Sequence, residues 1–155
     1  MSATSEAALR ESVVRTAKAI DLAGFCPSKS GNVSARCGET FLITPSGLPY
    51  AAMTPEDLIV LDRKGRVVSG RGKPSSEWPF HLTIYEARPD AGAIVHTHSP
   101  RATALSCARR GIPAFHYMIA LAGGADIRCA DYATFGSPEL AENAVAALAD
   151  RKAVL

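Results

Sequence analysis

The sequence predicts an α/β fold, a single layered α/β/α domain around a mixed, largely antiparallel sheet. Three observations predict it: helical and strand-like segments interleave along 155 residues, no internal repeat or linker interrupts them, and the early strands follow one another as a meander. A balance of 47% hydrophobic to 21% charged residues fits an ordinary globular domain.

Leu9, Val13, Ala17 and Ile20 recur at helical spacing, and Gly24 stands where a left-handed residue would end such a helix. Gly31 to Arg36, Thr40 to Thr44 and Asp57 to Leu61 are short segments bounded by Gly, Pro and Ser, with Val67 and Val68 following an Arg63-Lys64-Gly65 turn; they read as strands. Ser75 and Ser76 precede Glu77, Trp78 and Pro79, a start signal for a helix that runs to about Arg88 before Pro89. Ala93 to His98 reads as a buried strand. Ser99-Pro100 opens a helix ended by Gly111, Ile112 to His116 reads as another strand, and Gly123-Gly124 marks a loop. Ser137-Pro138-Glu139 starts a helix carrying Leu140, Ala144 and Leu148, and Ala153 to Leu155 reads as a strand just beginning.

Charge and hydropathy exclude several functions. Seventeen Lys+Arg against 15 Asp+Glu give +2, with no basic stripe to follow a phosphate backbone, so no nucleic-acid partner is expected. No stretch reaches the roughly 20 apolar residues that cross a bilayer, and the N-terminus lacks the apolar core of a signal peptide. A cytoplasmic protein with no membrane partner is expected. Cys26, Cys37, Cys107 and Cys129 never form C-x-x-C, which disfavours a thiolate zinc site or disulfides and favours four free thiols.

His96 and His98 lie two apart on the expected strand, so the pleat puts both imidazoles on one face. That suits a metal, but a catalytic zinc site usually needs three protein ligands, and taken alone the pair reads more simply as hydrogen-bonded core or surface histidines. Glu77 opens the preceding helix, where a carboxylate also serves as a dipole partner. Two serines beside free backbone N–H groups at a helix start suit a phosphate. Gly31-Asn32-Val33-Ser34 and Thr44-Pro45-Ser46-Gly47 are turns whose donors would close around the same anion, although such tetrapeptides also occur as plain turns. Lys73 is the nearest cation along the chain. His81, His116 and Tyr117 are candidates for packing or supporting hydrogen bonds, and Trp78, Phe80 and Ile84 for the core.

In this order, Gly31-Asn32-Val33-Ser34, Thr44-Pro45-Ser46-Gly47, Ser75-Ser76-Glu77 and His96-Thr97-His98 resemble the class II aldolase and adducin family, as do Ile112 to Ala120 and Tyr132-Ala133-Thr134-Phe135-Gly136. The resemblance implies a zinc-dependent aldolase, another divalent metal being an alternative. It would cleave a ketose 1-phosphate, L-fuculose 1-phosphate being the specific expectation, to dihydroxyacetone phosphate and an aldehyde, L-lactaldehyde. By the same resemblance His96 and His98 are metal ligands, with Glu77 as the metal residue that completes the set within this chain; Glu77 is also the base, and Gly31, Asn32, Ser46, Gly47, Ser75 and Ser76 hold the phosphate. Tyr117 would donate a proton from a neighbouring subunit of a homotetramer whose active sites lie at subunit borders. The family's third zinc histidine is expected just beyond Leu155, so the resemblance implies that residues 1–155 are a family domain incomplete at its C-terminal end. Three other readings share the fold: a sugar-phosphate 4-epimerase, against which Glu77 in place of Asp argues; a dehydratase or decarboxylase of a phosphorylated sugar or sugar acid; and a non-catalytic, adducin-like interaction module, against which the retained His96 and His98 argue.

Overall fold

The computed structural model describes residues 5–155, which form two compact units, one ending at His98 and the other beginning at Ser99. In the first unit, helix α1 (Glu6–Leu22) starts at Ser5, whose side chain accepts from the Ala8 N–H. Strands β1 (Asn32–Cys37), β2 (Thr40–Ile43), β3 (Ile59–Asp62) and β4 (Val67–Ser69) follow, then helix α2 (Trp78–Ala87) and strand β5 (Ala93–His96). Every pairing in the sheet is antiparallel, in the order β4-β3-β2-β1-β5.

Alternation along the strands explains the layers. Val33 and Ala35 of β1 join Leu58 and the buried α1 residues Val13, Val14 and Ala17 in one core. Phe41 and Ile43 of β2 and Ile59 and Leu61 of β3 point the other way, into a core with Tyr85, Trp78 and Leu82 of α2. The sheet is thus covered by α1 on one face and α2 on the other. Asn32 and Ser34, which alternate with Val33 and Ala35 along β1, are left on the α2 face, and both are buried.

The second unit holds α3 (Pro100–Cys107), a 3₁₀ helix at Tyr117–Ala122 and α4 (Pro138–Leu148). Ser137 caps α4 by accepting from the Leu140 N–H. Among the described residues no helix is long and apolar enough to cross a membrane, and the four cysteines are free.

Several expectations are corrected. The sheet contains no parallel pair. The segment expected to run as a buried strand to His98 is an edge strand that ends at His96; among the described residues it pairs only with β1, and Val95 is 48% exposed. The third strand begins at Ile59 because Pro55–Asp57 forms a 3₁₀ turn, closed by a reciprocal Thr54–Asp57 capping box. Helix α3 stops at Cys107, four residues before Gly111, with Arg109 in the left-handed region. Ile112 to His116 is not a strand: Ile112 makes one isolated bridge to Ile127, Pro113 has no N–H to extend it, and the Phe115 N–H turns back to the Pro113 carbonyl. His116 instead begins the 3₁₀ helix, its ring nitrogen accepting from the Met118 N–H. At Ala153–Leu155 a single parallel bridge joins Arg128 and Val154, with Leu155 donating to Arg128 and accepting from Ala130.

Candidate active site

The first unit brings the expected phosphate segments together through backbone bonds. The Thr44 N–H donates to the Val33 carbonyl while the Val33 N–H donates to the Thr44 hydroxyl at 3.2 Å, which ties the Gly31-Asn32 turn to the Thr44–Gly47 turn. On its other side that turn meets the approach to α2: the Ser75 N–H donates to the Thr44 carbonyl, the Ser46 N–H to the Lys73 carbonyl, and Pro45 bridges Pro74. Gly31, Asn32, Ser46, Gly47, Ser75 and Ser76 therefore stand on three interlocked turns. Two glycines are required there. A Cβ on Gly31 would lie 2.8 Å from the His96 carbonyl oxygen and collide with the Cys26 sulfur, and Gly47 has φ +80°. The Tyr50 hydroxyl donates to the Gly31 carbonyl and anchors the first turn from below.

Within this group the serines differ. The Ser75 hydroxyl accepts from the Glu77 N–H at 3.4 Å and its carbonyl accepts from the Trp78 N–H, so Ser75 shapes the start of α2. Ser76 is exposed. Lys73 is the nearest cation along the chain, and the fold brings a second lysine to the same turns: Lys29, left-handed at φ 64°, whose ammonium donates to the Gly47 carbonyl at 3.2 Å. Nothing in the local sequence marks Lys29, because its approach depends on how two turns distant in the chain are stacked.

Beside these turns, Glu77, His96 and His98 converge. The antiparallel register sets His96 opposite Asn32, and the His98 N–H is fixed on the Phe25 carbonyl, one residue pair past the end of β5. His96 Nε2 lies 2.9 Å from His98 Nε2 and 3.2 Å from Glu77 Oε2, with the edge of His96 against the Phe80 ring. Burial holds the His96 imidazole below its ordinary pKa, with Glu77 pulling it up and His98 pushing it down. Although His98 falls outside the strand, the two imidazoles do share a face.

Among the described residues no three His, Cys, Asp or Glu side chains already surround a common point as a metal cage does. The donor set nonetheless fits a divalent cation. Imidazole nitrogens and a carboxylate are ordinary zinc ligands, and two nitrogens on one tetrahedral zinc would stand about 3.3 Å apart, within a few tenths of an ångström of the observed separation.

A second set of residues lies behind Glu77. Asn32 Nδ2 donates to Glu77 Oε2 at 2.8 Å, Asn32 Oδ1 meets His81 Nε2 at 2.5 Å, His81 Nδ1 meets the Ser34 hydroxyl at 2.6 Å, and that hydroxyl meets the Tyr85 hydroxyl at 2.8 Å. His81 is completely buried, and burial, with a smaller push from His96, lowers its pKa to about 3. The sequence offers His81 for packing or for a supporting hydrogen bond, and here it makes two hydrogen bonds. What the sequence could not show is that β1 carries Asn32 and Ser34, two apart on one face, to the two nitrogens of that ring.

Tyr117 belongs to the second unit and is 81% exposed, on the 3₁₀ helix rather than on a strand. Phe115, Leu121, Tyr132 and Phe135 of the same unit are exposed as well.

Residues 11–155 match the family described as Class II Aldolase and Adducin N-terminal domain. The chain is 50% identical over 151 residues to a 5-methylthioribulose-1-phosphate/5-deoxyribulose-1-phosphate aldolase of Rhodospirillum rubrum, covering 97% of this chain and 68% of that protein. It is 46% identical over 147 residues to the L-fuculose phosphate aldolase of Escherichia coli, covering 95% and 68%. A solved L-fuculose 1-phosphate aldolase superposes with a TM-score of 0.90 at 41% identity, over 99% of this chain and 72% of the other. The chain belongs to the class II aldolase and adducin family, and it is one of that family's enzymes, a lyase with aldolase activity.

Proposed function

We propose that the protein cleaves a ketose 1-phosphate reversibly to dihydroxyacetone phosphate and an aldehyde. The observation that carries this reading is the convergence of Glu77, His96 and His98 beside three interlocked turns rich in backbone and hydroxyl donors. The turns take the phosphate: Gly31, Asn32, Ser46, Gly47, Ser75 and Ser76 surround it with N–H and O–H donors, and the Lys29 ammonium adds charge. Held there, the substrate places its carbonyl end toward Glu77.

A zinc ion, or another divalent cation, would be held by His96 and His98 with Glu77 beside them, and would supply Lewis-acid polarisation of the ketone oxygen. Glu77 is the proton carrier. Its Oε2 already receives Asn32 and lies against His96, so Oε1 is the oxygen assigned to the proton exchanged at the carbon next to the carbonyl. In cleavage that carbon gains a proton as its bond to the aldehyde carbon breaks, and the aldehyde is released as its hydroxyl loses one. Tyr117, contributed by a neighbouring subunit, handles the proton at the aldehyde oxygen. The exposed apolar residues around Tyr117 suit burial against another copy of the chain, in keeping with a homotetramer. The substrate of this reading is a small phosphorylated sugar, for which the cytoplasm is the fitting compartment.

L-Fuculose 1-phosphate, giving L-lactaldehyde, is the first candidate substrate. 5-Deoxyribulose 1-phosphate and 5-methylthioribulose 1-phosphate, named for relatives of comparable similarity, are the others. A panel of these three, assayed for dihydroxyacetone phosphate release with and without a chelator, tests the reading. Release from at least one, suppressed by the chelator and restored by zinc, is expected; no release from any phosphorylated ketose refutes it.

A further inference from the structure

The hydrogen-bond chain behind Glu77 has a direction that the chemistry of its ends determines. A carboxylate offers only acceptors, so Asn32 must turn its Nδ2 toward Glu77 and its Oδ1 toward His81. Oδ1 in turn accepts only, so His81 must carry its proton on Nε2. Nδ1 is then an acceptor for the Ser34 hydroxyl, and the Ser34 oxygen accepts from Tyr85. The order Tyr85 to Ser34 to His81 to Asn32 to Glu77 is the one arrangement in which every group has a partner.

We propose that His81 is a positioning residue for the aldolase reaction: its buried Nε2–H locks the Asn32 amide so that an N–H, and never the carbonyl, faces the Glu77 carboxylate. This rests on the reading of Glu77 as the base. Without this second anchor the Asn32 side chain is held only by the carboxylate it is meant to position, so the two swing together and Glu77 loses the fixed place in which it meets the substrate. Ser34 acts one step further back, by selecting which nitrogen of His81 bears the proton. The surroundings suit the task. Phe80 packs on the His81 ring, with centroids 4.4 Å apart, and burial keeps the imidazole neutral and the Tyr85 phenol protonated, the latter with its pKa pushed up to about 12.

The chain separates a positioning role from a merely structural one. His81→Leu fills the space and removes the donor, whereas His81→Gln replaces Nε2–H with an amide N–H at similar reach. With the full chain and dihydroxyacetone phosphate as probe, exchange of the methylene proton should fall roughly ten- to hundredfold in kcat in His81→Leu, the usual scale for losing the support of a site residue. His81→Gln should recover to within about threefold of wild type even where the two variants melt at the same temperature. Ser34→Ala should fall between them. Normal exchange in a folded His81→Leu, or no advantage of Gln over Leu, overturns the inference. If exchange is also normal in Glu77→Gln, it is the reading of Glu77 that fails; if Glu77→Gln is dead and His81→Leu is normal, only the positioning role fails. A readout that needs no turnover is the nitrogen-15 spectrum of the His81 ring near neutral pH. A proton on Nε2 with a bare Nδ1 is expected, and a proton on Nδ1 overturns the proposal.

Discussion

Lowering the pH should loosen this protein through His81 by an amount that can be worked out in advance. A histidine in the unfolded chain titrates near 6.5, and the buried ring at its lowered pKa of about 3 stays neutral in the folded protein. The unfolded state therefore binds more protons between these values. The stability that neutrality supports is present in full above about pH 6.5 and is lost progressively as the pH falls toward 3. Each pH unit in that window is worth about 1.4 kcal/mol, so moving from pH 7 to pH 5 should cost about 2 kcal/mol through this one group. Against a typical net stability of about 5–15 kcal/mol, that is a readable loss. His81→Gln has nothing to titrate at this position. Urea unfolding of both proteins at pH 7 and pH 5, at one protein concentration, should show the wild type losing about 2 kcal/mol more than the variant. His96, also lowered by burial, adds a slope common to both. Equal losses would refute the claim that His81 is held neutral.

Three further outcomes are expected. His96→Ala or His98→Ala should leave the complete protein folded but without stoichiometric zinc by elemental analysis, since either change removes an imidazole ligand; full occupancy in both variants contradicts the assignment. Ser76→Ala should weaken turnover of a phosphorylated ketose far more than that of the free sugar, because Ser76, unlike Ser75, is exposed and free of the start of α2; equal losses on the two sugars would make it a structural serine. Gly31→Ala should destabilise the protein by about 1–3 kcal/mol in chemical denaturation, as its Cβ must displace both the Cys26 sulfur and the His96 carbonyl, and an unchanged midpoint would show that this close approach is absent.

Where local pattern decides structure, the sequence was sufficient. Leu9, Val13 and Ala17 needed only their period to define α1, and Ser137-Pro138 needed only its capping chemistry to start α4. β5 was harder, because Ala93 to His96 is as apolar as a central strand, and its pairing with β1 alone among the described residues is a property of the sheet order. Ile112 to His116 misled because its apolar and aromatic residues resemble a strand while Pro113 forbids the ladder. In the site, the turns at Gly31, Ser46 and Ser75 were visible as donor-rich tetrapeptides, and H-x-H as a pair on one face. His81 and Lys29 took their places through residues far away in sequence, Asn32 and Ser34 for the one and Gly47 for the other. No window around either residue contains that information.

The role of Glu77 as the proton carrier is tested most directly by exchange of the methylene proton of dihydroxyacetone phosphate with solvent, followed by NMR in wild type and Glu77→Gln. Gln keeps the shape and the contact with Asn32 while removing the proton acceptor, so the exchange rate should fall by about two to four orders of magnitude, the usual contribution of general base catalysis, with binding of dihydroxyacetone phosphate changed far less. Exchange at the wild-type rate in Glu77→Gln would contradict the account and place the base elsewhere.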